Sequence, residues 1–264
     1  MMACLQYFRG MIVAVFVLLP LCSPAFAGGM FGPPQTISKK AGGLNTAVAY
    51  QYVEDVFEGS SDYVIRQHQV YSHAAYGVSG LWEVYGRIGM SDLKLSDAFN
   101  STDIMTTVAK SNFEESWKIF GTLGAKAFYP VNDWLGIGAF VQGTYHFSTY
   151  KDNVTGSHNG TFFEADLRIK HLRDINGGVA LQATLPRSVR LYGGPYGYYS
   201  EADTAFPADV AGMGLGHRNA RLESKSAGGG FFGADIPLFK GFRLNIEGQY
   251  TRRLSAGAAV TYTY

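Results

Sequence analysis

The stretch from Gly241 to Tyr264 constrains the fold more than any other part of the chain. Phe242, Leu244, Ile246, Gly248 and Tyr250 alternate with Arg243, Asn245, Glu247, Gln249 and Thr251. After a break at Arg252 and Arg253, Leu254, Ala256, Ala258, Val260, Tyr262 and Tyr264 alternate with Ser255, Gly257, Ala259, Thr261 and Thr263. A period of two puts successive side chains on opposite faces of a strand. One face is apolar with aromatics towards its ends, and the other is polar or very small. Two such strands closing the chain on an aromatic predict the last hairpin of a transmembrane β-barrel, with lipid outside and a polar lumen inside.

The start of the chain fits export. Arg9 supplies a positive n-region, Met11 to Leu19 an apolar core, and Ala25-Phe26-Ala27 a small-x-small cleavage site,. Residues 1–27 therefore read as a signal peptide, cleaved before Gly28 after Sec export. The apolar run is too short for a membrane anchor, and Leu21 is too bulky before Cys22 for a lipoprotein signal. Both cysteines, Cys4 and Cys22, fall in this leader, so the mature chain is expected to carry no disulfide or thiolate-metal chemistry,. Arg9 is the one charged residue of the leader, and without it the 22 Lys+Arg balance the 21 Asp+Glu. A neutral chain lacks the basic field that a nucleic-acid partner needs.

Residues 28–41 read as a loose periplasmic lead-in rich in Gly and Pro, and residues 42–264 as the barrel. Strands are expected near 44–53, 63–77, 82–91, 117–127 and 135–147. Polar loops are expected at 92–115 and 149–160, and a further long loop at 203–226. Residues 161–202 are ambiguous, because apolar sets at Phe163, Ala165, Leu167, Ile169 and at Val179, Leu181, Ala183, Leu185 could form one strand or two. An even count with both termini in the periplasm favours ten strands. In that count 162–172 extends above the membrane and 178–185 crosses it, followed by strands at 189–200, 228–236, 242–251 and 254–264. A rival ten-strand count separates the two apolar sets and fuses the last hairpin, but it places a long loop in the periplasm. Eight and twelve strands are the neighbouring counts. Trp82, Trp117 and Trp134 all fall at strand ends, where amphipathic rings gather at headgroup level. A soluble sandwich, the alternative for such a composition, more often buries tryptophan in mid-strand.

The C-terminal Ser255-x-Gly257-x-x-Val260-x-Tyr262, ending on Tyr264, resembles the signal read by the barrel-insertion machinery, although a terminal Phe is commoner there than Tyr. With the leader and the repeated strands, the whole mature chain resembles the small bacterial outer-membrane β-barrel proteins. The resemblance implies outer-membrane lipids and the barrel-assembly machinery as partners, Gly257, Val260, Tyr262 and Tyr264 as the assembly signal, and no particular activity.

Glu83, Arg87, Lys118, Lys126, Arg190, Asp235, Arg243 and Glu247 fall on inward-facing positions. They would either line a narrow pore for small solutes or pair with one another and plug the lumen. Interiors of about eight strands are filled by side chains, and wide channels come at sixteen or more, so a plugged or very narrow lumen is expected. His146 and Ser148 faintly resemble the His-x-Ser motif of outer-membrane lipid A deacylases, but Thr149 follows and no orienting acid can be assigned. Asp152, His158, Glu201, Asp203, Asp209 and His217 read as solvated loop charges, without the paired spacing of a membrane aspartyl-type protease. Asn153-Val154-Thr155 is an accidental acceptor triplet. The run from Gly193 to Tyr199 reads as a kinked strand entering the outer girdle, ahead of a ligand-stacking surface. No cofactor, metal or catalytic residue is expected. The leading role is a narrow solute pore or structural barrel, the alternative a surface binding or adhesion module using the long loops, and the outsider a hydrolase.

Overall fold

In the computed structural model, the described residues are 30–35, 42–58, 62–78, 80–100, 106–210, 213–224 and 228–264, with backbone alone over 206–210 and 213–220. The signal peptide expected over residues 1–27 lies outside the described residues. Thirteen strands form one antiparallel sheet: β1 (Leu44–Glu58), β2 (Asp62–Gly77), β3 (Trp82–Leu95), β4 (Thr106–Val108), β5 (Phe113–Pro130), β6 (Leu135–His146), β7 (Tyr150–His158), β8 (Thr161–Thr184), β9 (Arg190–Val210), β10 (Met213–Ser224), β11 (Gly228–Pro237), β12 (Phe242–Tyr250) and β13 (Leu254–Thr263). Ten of them, β1-β2-β3-β5-β6-β8-β9-β11-β12-β13, close into a ring. Closure is made by β13 against β1, in register from Asn45↔Thr263 to Tyr52↔Ala256. Sheet closure leaves no open backbone edge in the ring, the condition for strands to cross hydrocarbon.

The wall is turned inside out relative to a soluble protein. On β1, Val48 is 62% exposed on the outer face while Gln51 is 1% exposed inside. Leu123, Ile137, Val141, Ile175, Leu181, Phe232, Ile246 and Val260 continue the exposed apolar band around the ring. A contiguous apolar belt of this extent is unstable in water and stable against lipid. Trp82, Trp117 and Trp134 point outward at the edges of this belt. The hairpin turns at 78–81, 131–134, 185–189 and 238–241 are all short and lie at one end, closed by bonds such as Val131 N–H to the Leu135 carbonyl (2.9 Å). That end is the periplasmic one, since outer-membrane barrels turn tightly there.

The ambiguous segment 161–202 resolves into the first of the two ten-strand counts. β8 is a single 24-residue strand that pairs with β6 through its lower part and with β7 through its upper part. A bulge interrupts it: the register against β9 shifts between Lys170 and Arg173, and His171 has φ 52°. One extra residue exchanges the two faces of a strand. Phe163, Ala165, Leu167 and Ile169 therefore face inward, while Leu181 and Ile175, at positions of the same parity, face lipid.

Above the bulge the barrel continues as a collar, and most of the expected loops are strand. β3 runs on to Leu95, residues 149–160 include β7, and residues 203–224 belong largely to the β9–β10 hairpin, whose end pairs with β1 at Phe57↔Ser224. The collar reverses the polarity of the membrane wall. Glu164, Asp166, Arg168 and Lys170 lie on its outer side, and Phe57, Ile65, Leu93, Leu95, Phe113, Tyr150 and Ile169 pack inside, each at most 3% exposed.

Candidate functional site: an occluded, charged lumen

Of the segment expected as a loose lead-in, the described residues 30–35 lie inside the barrel. Met30 and Phe31 are 3% and 2% exposed. Phe31 stacks on Phe140 at 4.2 Å between ring centroids and meets Tyr196 (4.8 Å) and Phe231 (4.9 Å) edge-on. The chain then descends along β5, β6 and β8 to Gln35, whose backbone and side chain both bond to Gln182 near the periplasmic end. Two inward glycines make room for it. A Cβ on Gly138 would lie 2.2 Å from Pro34 Cβ, and one on Gly257 would lie 2.8 Å from Met30 Sδ.

Lumen side chains satisfy the backbone of this segment, which has no strand partner of its own. The Glu247 carboxylate accepts from the N–H groups of Phe31 and Gly32, both at 2.8 Å. Arg87 Nη2 donates to the Met30 carbonyl at 2.5 Å, and Lys126 Nζ donates to that of Pro33 at 3.2 Å. A buried backbone group left unpaired would cost a few kcal/mol, so these charges hold the segment in place.

Seven of the eight charged positions assigned inward, Glu83, Arg87, Lys126, Arg190, Asp235, Arg243 and Glu247, lie in the lumen wall, and their pairing differs from a simple network of opposed charges. Lys126 pairs with Glu83 at 3.0 Å, with side chains 5% and 1% exposed. Arg190 and Arg243 share Asp235, at 3.3 and 2.7 Å. Glu247 has no ion pair among the described residues; it serves the N-terminal segment and accepts from Tyr192 Oη at 3.0 Å. Lys118 sits at the upper rim beside Glu115 (3.5 Å) rather than deep in the lumen, because its long side chain reaches solvent there,. Inward acids that periodicity alone did not single out are Asp55, bonded by Tyr198 Oη (2.9 Å), and Asp174, bonded by Asn176 (2.8 Å).

The remaining candidates disperse. His146 is buried against Phe120, and its Nδ1 lies 2.8 Å from Tyr150 Oη, so its partner is a phenol and not Ser148. Asp152 is a β7 residue that accepts from the Glu114 N–H (2.8 Å) and pairs with Lys110 (2.5 Å), stitching β7 to the collar end of β5. His158 bonds Thr106 across the β4–β7 pair. Glu201 is buried in the collar wall with Arg173, Arg221 and Tyr199, while Asp203 meets His171 at the exposed bulge. The side chains of Asp209 and His217 lie outside the described residues. Within 193–199, Tyr196 and Tyr198 point into the lumen rather than into the outer girdle. At the C-terminus, Val260 pairs with Val48 on the lipid face, Gly257 faces Met30, and Tyr262 packs between Phe242 (4.7 Å) and Tyr264 (4.8 Å).

No protein-family model matches the sequence, and no curated protein matches it. Among solved structures, the outer membrane protease OmpT from Escherichia coli superposes with a TM-score of 0.52 at 8% identity, over 88% of this chain and all of that one. The translocator domain of the autotransporter NalP from Neisseria meningitidis gives 0.46 at 14% identity, covering 84% of this chain and 88% of that one. An outer membrane channel from Pseudomonas putida F1 gives 0.46 at 11% identity, covering 90% and 100%. Ring closure, the lipid-facing belt and the OmpT-like course of the strands together make this chain a small closed β-barrel of the bacterial outer-membrane type.

Proposed function

We propose that the protein is a non-enzymatic outer-membrane barrel that is closed at rest, a structural barrel rather than a general diffusion pore. In this reading the leader is cleaved before Gly28 and the barrel-assembly machinery inserts the mature chain. Double occlusion of the lumen carries the reading: Phe31 and its aromatic partners fill the middle, and the apolar interior of the collar fills the top. Small apolar-lined gaps hold no continuous water, so ions have no wetted path. Planar-bilayer recording of the full mature chain, beside a variant lacking residues 30–35, tests it. Both are expected to be silent, because the collar still blocks the variant. A large, steady wild-type conductance would make diffusion the function, and conductance in the variant alone would make the N-terminal segment the gate of a pore.

A surface-binding role is the second reading, favoured by the height of the collar. From the bulge to Thr161, β8 climbs about ten residues, roughly 30 Å along the strand. Adhesion of cells carrying the full chain, compared with cells carrying a chain shortened at the β9–β10 tip, measures that role.

A further inference from the structure

The periplasmic part of the lumen holds a cavity of about 50 Å³ beneath the N-terminal segment. Its charged lining is Arg87, Lys126, Arg190 and Arg243 against the single carboxylate of Asp235. Asp235 is shared by two arginines, and Lys126 is engaged by Glu83. Arg87 is left over. It is 8% exposed and has no carboxylate at ion-pair distance among the described residues. Its Nε reaches only the neutral acceptor position of His73 Nδ1 at 3.3 Å, its Nη2 reaches the Met30 carbonyl, and its buried Nη1 has no hydrogen-bond partner. The faces of Tyr71 and Tyr85, at 5.2 and 4.9 Å, are its remaining neighbours.

A buried guanidinium with no carboxylate at ion-pair distance is expensive even with Glu247 nearby on the same segment, and one with an orphaned N–H is more so. Vacant space lies beside it, the other lining charges are also mostly positive, and a cavity of this size exceeds what one water needs. Arg190 and Arg243, with side chains 14% and 15% exposed, stand at the periplasmic end of this cavity, where they are partly open to solvent. We propose that the cavity is a binding site for a small oxyanion, a phosphate or a carboxylate, bridging Arg87 to the Arg190–Arg243 pair. Carboxylates and phosphates both take paired, parallel N–H donors from a guanidinium on two of their oxygens, and the charge-assisted bonds are stronger than neutral ones. The bound anion would balance the lower lumen and brace the side chain that holds Met30. The site requires the barrel and its lumen but not the closed-barrel reading: a conducting variant without residues 30–35 would overturn that reading and leave this one standing.

The test uses the full mature chain, folded in neutral detergent, and follows the temperature at which its folded gel mobility is lost. Inorganic phosphate and acetate are titrated separately at constant ionic strength against a bulky organic anion. Wild type is expected to show a saturable rise with at least one of them, and the two arms distinguish a phosphate from a carboxylate. Arg87→Gln should weaken the response at least about tenfold, the loss of a charge-assisted contact, and Arg243→Gln should weaken it as well. Arg253→Gln, on the outer rim, should respond as wild type does. Should Arg87→Gln fail to fold, Arg243→Gln beside the Arg253→Gln control decides the matter. No anion response in wild type, or an undiminished one in the lumen variants, would overturn the proposal.

Discussion

Individual lumen residues do two jobs that pull against each other: they must neutralise charge and also pair the backbone of residues 30–35. Lys126 does both, meeting Glu83 and the Pro33 carbonyl. Lys126→Met is expected to destabilise the barrel by about 3–5 kcal/mol, because it breaks a buried ion pair by removing one of its members,. The double variant with Glu83→Leu should recover most of that loss, and heat-modification midpoints of the three proteins check it. Gly138 acts through its missing side chain. Gly138→Ala brings a methyl group to 2.2 Å from Pro34 Cβ and 3.0 Å from the Ala127 carbonyl oxygen, so the wall stays and the N-terminal segment moves. In a chain begun at Gly28, which lacks Cys4 and Cys22, Gln35→Cys reports the movement. Its maleimide labelling should be faster in the Gly138→Ala background, and equal rates would count against the docked segment as the feature displaced.

At the scale of elements, the bulge in β8 and the closing strand β13 matter most. The bulge lets one strand serve two solvents, presenting odd-numbered residues inward in the collar and outward in the membrane. A straight strand with the same sequence would expose Phe163, Leu167 and Ile169 to water or turn Leu181 into the lumen. β13 closes the ring on β1 and ends in a cluster of rings at headgroup level, with Tyr262 and Tyr264 perpendicular at 4.8 Å,. Replacing both by Ser is expected to lower the amount of inserted barrel, since it removes both the interfacial anchor and the residues that resemble the assembly signal. Immunoblots of outer-membrane fractions measure the loss; unchanged levels would remove these tyrosines from assembly.

For the whole molecule, closure gives kinetic resistance. Every ring strand is paired on both sides, so opening must break several ladders together. The purified protein should run faster on gels before boiling than after it, and identical mobility would be inconsistent with a detergent-resistant ring. The collar extends the ring as an apolar-cored barrel in water, continuous with a polar-cored barrel in lipid. That continuity carries the strands beyond the lipid-facing belt as a projection from the membrane surface.

Period-two patterning determined the inside and outside of most strands, and the even count with short periplasmic turns selected ten of them. Lipid and lumen sort residues one at a time by polarity, and that sorting is written directly along each strand. The N-terminal segment was not legible, because Gly-Pro spacing reads as a linker and its docking depends on residues far away: Glu247, Arg87 and the gap left at Gly138. Of the collar only the extension over 162–172 was legible, and the rest was not, for a related reason. Its interior is apolar and its exterior polar, the opposite of the membrane wall, and a single inserted residue near His171 hides the change of face. Which charges pair, and which one is left without a partner, was decided only by three-dimensional placement. Side-chain reach and competition for one carboxylate, as at Asp235, leave no trace in the spacing of residues along the chain.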